Sequence, residues 1–147
     1  MTVRVKIVVP LFATFLFALV AIPAQNPSGC LAYEPVVVQL KGTIIRKTFP
    51  GAPNYASVKH GDRPEVAWLL VLVKPICMQE DLNDRAMNIS QTDIRKIQIG
   101  FDEADGYNKY NRFVGEKVVA TGTLFGSHTG HHRTPVLMTV KTLSKSD

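Results

Sequence analysis

The chain has 147 residues, room for one domain of ordinary size. Hydrophobic residues make up 46% and charged residues 20%, a balance that excludes disorder as the default state. Two cysteines exclude a cysteine-rich scaffold and a four-cysteine zinc cluster, and a net charge of +5 has to be located before it implies a partner.

In chain order, Arg4 and Lys6 precede an almost wholly apolar run over residues 7–22, and residues 25–29 are polar and turn-forming. This is the pattern of a secretory signal peptide over 1–24, with cleavage expected after Ala24. The apolar run is short for a helix that must cross roughly 30 Å of hydrocarbon, which disfavours a membrane anchor. Cleavage removes Arg4 and Lys6 but no acid, so part of the basicity belongs to the targeting segment. The remaining pairs, Arg46-Lys47 and Arg95-Lys96, are isolated, and nucleic-acid binding needs a concentrated basic patch. Residues 25–147 are therefore expected to form one exported domain, periplasmic or secreted, that meets the membrane only through its signal. Pro27 stands where a lipoprotein site would carry leucine, so Cys30 is read as a disulfide partner of Cys77 in an oxidising compartment. That bridge would close a loop of about 47 residues, worth about 4 kcal/mol in the chain-entropy model.

Five strands are expected in the mature chain. Residues 35–48 carry Val36, Val37, Val38, Leu40, Ile44 and Ile45, with Gly42 marking a bend. Residues 65–77 contain the continuous apolar run Val66–Val73, which suits a strand buried on both faces, a buried helix being the alternative. Residues 93–101 alternate, with Ile94, Ile97 and Ile99 apolar. Residues 116–125 and 134–143 are rich in Val, Thr and Leu. Between the third and fourth strands, Tyr107, Tyr110 and Phe113 recur at helical spacing before Gly115, which predicts a short helix with those rings facing the core. Three strands, a short helix and two strands is the order of an OB-fold, a five-stranded Greek-key barrel. Another small antiparallel barrel or sandwich is the alternative.

Two connections draw attention. Residues 49–64 form a long loop with prolines, glycines and Tyr55, an aromatic in a polar setting that suits stacking on a sugar or anchoring a partner. Residues 126–133 carry His128, His131 and His132, three of the four histidines, and the fourth, His60, lies in the first loop with Asp62. In an OB-fold these two loops flank the usual binding face. Neutral imidazoles gathered there could hold zinc or another transition metal through His128, His131, His132 and His60. The structural reading is stronger: histidine and hydroxyl side chains hold such a turn by bonding its backbone, and His131 and His132, being adjacent, point to opposite faces. No cofactor is expected. Catalysis has less support, since Ser57, Ser127 and Thr129 lie outside any nucleophile elbow and Asp62, Glu65 and Glu116 are scattered.

At Tyr33-Glu34-Pro35, at residues 49–55, at Gly61-Asp62 and through the run from His128 to Val136, the chain resembles a family of bacterial exported domains of unknown function. In that family the domain occurs alone or behind a module similar to lysozyme inhibitors. The resemblance covers residues 30–143 and implies a periplasmic setting, without catalytic residues. The combined expectation is a non-enzymatic binding module for a cell-envelope protein or a glycan, using Tyr55, His60, Asp62, His128, His131 and Arg133. A metal-binding protein is the alternative and a small envelope hydrolase the next.

Overall fold

A computed structural model describes residues 29–147. The predicted signal peptide lies outside the described residues. Among the described residues, no helix is long and apolar enough to cross a membrane. The elements are β1 (Val37–Pro50), β2 (Pro64–Met78), β3 (Gln91–Phe101), α1 (Gly106–Tyr110), β4 (Lys117–Gly126) and β5 (Val136–Lys145).

The strands close into a barrel in the order β1-β2-β3-β5-β4, with β4 returning to β1. All pairs are antiparallel except β3 with β5. This is the expected OB-fold topology. Closure depends on β1 serving two neighbours: residues 37–43 pair with β4 and residues 42–50 with β2. Gly42 sits at the changeover, where an added Cβ would come within 2.5 Å of the Val71 carbonyl and 2.9 Å of Leu70. Only a residue without a side chain lets the strands cross so closely.

Alternation sorts each strand into an inner and an outer face. Ile44, Leu70 and Ile97 share one inner rung, and Ile99, Met138 and Leu124 another. All six are essentially inaccessible. Trp68 belongs to this core and meets Phe101 and Tyr107 edge-on, at ring separations of 6.0 and 5.4 Å. Tyr110 stacks on Phe101, and Tyr110 and Phe113 close the barrel end. Tyr107 departs from the expected core-facing trio, being 46% exposed. Tyr107 and Tyr110 share the α-helix, where residues three apart fall short of a full turn, whereas the 3-10 turn Asn111–Phe113 brings Tyr110 and Phe113 onto one buried side.

The outer face explains the apolar length of β2. Ile45, Leu69, Gln98, Leu137 and Phe125 form one row around the barrel, linked by direct cross-strand pairing. Leu69 and Leu137 are each 3% exposed, yet both stand outside the central core cluster. Gln98, which stands between them in the row, is hydrogen-bonded to His131 and Arg133, so the segment following β4 is tied down at this flank. Burying each leucine contributes about 1.5–3 kcal/mol.

Cys30 and Cys77 form the expected disulfide. Beside it Leu31 makes a parallel bridge to Met78, and its N–H donates to the Cys77 carbonyl at 2.8 Å. The Tyr33 hydroxyl donates to the Ile89 carbonyl at 2.7 Å. The segment entering β1 is thus strapped across the barrel.

Candidate functional site

The β1–β2 and β4–β5 loops open from the same barrel end, since Pro50 pairs with Pro64 and Gly126 with Val136. Each is ordered from within before it meets the other. In the first, Asp62 is buried and works as a hub. Its Oδ1 accepts the Asn54 backbone N–H at 2.9 Å and the Asn54 amide at 3.2 Å. Its Oδ2 accepts the N–H groups of Ala56 and Ser57, both at 2.7 Å. These bonds, the Ser57 and Asn54 backbone groups foremost, hold the carboxyl below its ordinary range, so it stays ionised. Tyr55 sits inside this wrap with a φ of 57°, a left-handed conformation uncommon for a non-glycine residue.

The second loop is held to the barrel flank by Gln98, the polar member of the outer row. Its Oε1 accepts the Arg133 N–H at 2.6 Å, its amide donates to the His131 carbonyl at 3.3 Å, and its backbone N–H donates to Thr134 Oγ1 at 2.8 Å. Gly126, where β4 ends, donates its N–H to Asn88 Oδ1, and a Cβ there would collide with the Met87 carbonyl.

The loops join at Glu65, which opens β2 on its outer face. Its Oε2 accepts Arg133 Nη2 at 2.6 Å and His131 Nδ1 at 3.0 Å. The His131 hydrogen bond is the main cause of a lowered Glu65 carboxyl, with Arg133 adding to it. The Arg133 side chain is 8% exposed and its guanidinium lies 5.5 Å from the ring centres of both Phe49 and Tyr55. The Tyr55 hydroxyl is 3.2 Å from His131 Nε2, and its ring lies against Gly130, where a Cβ would approach to 3.0 Å.

His128 and His132 form a separate pair. Their rings meet edge-on at 4.5 Å and both pack on Phe125. His128 Nδ1 donates to the Gly126 carbonyl at 3.0 Å, whereas His132 Nδ1 accepts the His128 backbone N–H at the same distance. These partners assign opposite tautomers, so His128 presents a lone pair at Nε2 and neutral His132 presents an N–H. Burial, then the neighbouring imidazoles, lowers the His132 pKa and favours that neutral form.

The four histidines therefore do not gather. His131 and His132 diverge across a turn in which the His132 N–H donates to the Thr129 carbonyl at 3.1 Å, and not by strand alternation, since β5 begins only at Val136. His60 is exposed at the end of a 3-10 turn and makes no side-chain hydrogen bond or ring contact among the described residues. Among those residues, no three of His, Cys, Asp and Glu come together as a metal site would require. Of the six predicted binding residues, Tyr55, His131 and Arg133 meet at one point. Asp62 shapes the loop under them, His128 lies in the second pair, and His60 stands apart. Phe49, Gln98 and Phe125 were not anticipated, and Glu65 was considered only as a stray carboxylate. Parity with Ala67 and Leu69 is the signal that places Glu65 on the outer face.

A family model described as a domain of unknown function (DUF4431) matches residues 96–144. Over that stretch the chain is similar to an uncharacterised domain family. The match spans the Gln98 strand and the histidine loop but not Tyr55, Asp62 or Glu65, so it covers one side of the rim. No curated protein and no solved structure matches the chain.

Proposed function

We propose that the protein is an exported binding module whose recognition surface is the rim formed by residues 49–64 and 126–133, and that its ligand is a cell-envelope protein or glycan. One observation carries this reading: two loops that flank the binding face of OB-folds are joined into one pre-ordered surface through Glu65, Arg133, His131 and Tyr55. A surface ordered before binding loses less entropy on association, which is how a small module reaches useful affinity. The disulfide suits an oxidising compartment. The exposed His131 and the Lys59-His60 turn offer polar contacts around the ordered centre.

The test places a photocrosslinking side chain at Lys59 or Thr129 on the rim and, as control, at Lys145 at the strand end near Glu116. Irradiation is done in intact envelopes, with purified cell-wall glycan offered in parallel. The expected result is one discrete adduct, or glycan retention, from rim positions only, lost in Arg133→Ala. Equal yields from rim and control positions would overturn the assignment.

A further inference from the structure

The hydrogen-bond directions at the rim are fixed by chemistry. An ionised carboxylate only accepts, so His131 must carry its proton on Nδ1, facing Glu65 Oε2 at 3.0 Å. In neutral His131 the lone pair is then on Nε2, and the Tyr55 hydroxyl 3.2 Å away donates to it. A hydroxyl, a base within hydrogen-bond reach and a third group orienting that base is the constellation that activates nucleophiles. The left-handed Tyr55 backbone is a second, independent observation. The loop retains an unfavourable conformation that aims this hydroxyl at the imidazole, and such outliers concentrate at functional sites.

We infer that Tyr55 is a nucleophile for acyl transfer from an uncharged ester, with His131 as its general base and Glu65 positioning the imidazole. Arg133 is paired with Glu65, so the hydroxyl faces a locally neutral rim, which favours an ester over a phosphate. As Tyr55 Oη attacks the ester carbonyl, its proton passes to His131 Nε2. The tetrahedral intermediate expels the alcohol oxygen, which takes that proton, and the acyl group remains on Oη. Water then attacks this reactive aryl ester, giving its proton to the same nitrogen. The acid leaves and the phenol is restored. This inference does not depend on the binding reading, since either can fail alone.

The experiment treats the disulfide-bonded protein, expressed from the full chain, with p-nitrophenyl acetate. Nitrophenolate release is followed and the acetyl group located by peptide mass spectrometry. The expected result is a stoichiometric burst with acetyl on Tyr55, absent in Tyr55→Phe. Tyr55 acetylation should be about a hundredfold slower in His131→Gln and restored in His131→Ala by free imidazole. Melting curves check that the variants fold. Should the His131 variants unfold, Glu65→Gln preserves the shape without the charge and should slow acetylation several-fold. Acetylation confined to lysines, or a Tyr55 rate unchanged in the folded variants, would overturn the inference and leave Tyr55 as a clamp.

Discussion

At the scale of single residues, the rim depends on the absence of a methyl group. A Cβ at Gly51 would overlap the Glu65 side chain from Cγ to Oε1. Gly51→Ala should swing Glu65 outward, release both Arg133 and His131, and cost about 1–3 kcal/mol as an overpacked site. Urea midpoints of the variant and the parent would measure it. Arg133 is equally particular. Its plane lies near two rings while its Nη2 bonds Glu65, and a lysine supplies only a point charge. Arg133→Lys should therefore lower the melting temperature nearly as far as Arg133→Ala does. If lysine restores most of the parent's melting temperature, charge rather than shape holds the rim.

At the scale of elements, the two loops should loosen at different acidities. The folded His132 binds its proton less readily than the unfolded chain, so its contribution is full above about 6.5 and shrinks as the pH falls below it. Protonation also removes the acceptor for the His128 N–H. Asp62 and Glu65 are likewise lowered on folding, and their contributions are present above about 4 and lost as the pH falls through the folded values. Melting temperature against pH should show two declines, the first flattened in His132→Gln and the second reduced in Asp62→Asn. Asp62→Asn should also speed tryptic cleavage at Lys59 at neutral pH, since the hub for the Ala56 and Ser57 N–H groups is weakened. Much of this level is legible in the sequence, because strand alternation and turn chemistry are local. All five strands and the helix between the third and fourth can be read that way. The partnership of Glu65 with His131 cannot, since the two are 66 residues apart and meet only through barrel closure. Neither can the exposure of Tyr107, since α-helical and 3-10 turns place residues three apart differently and the pattern alone does not say which applies.

At the scale of the whole molecule, the disulfide and the buried flank set the stability. Cys30 and Cys77 are 47 residues apart, and opening the bridge should cost about 4 kcal/mol in the chain-entropy model. Cys30→Ser with Cys77→Ser, compared with the parent in guanidinium, would show it, and limited proteolysis should then cut first within residues 29–36. The disulfide could be anticipated because the chain offers only one pairing. The outer row could not, because it becomes a surface only when five separate strands line up. That row has an evolutionary consequence. The segment between Gly126 and Val136 is hydrogen-bonded to Gln98, which stands between the buried Leu69 and Leu137, so its length is tied to the character of those side chains. A descendant that shortened the loop while keeping both leucines would expose a sticky strip and aggregate; one that replaced them with polar residues would free the loop to drift. Insertions and deletions here should therefore appear in step with changes two strands away.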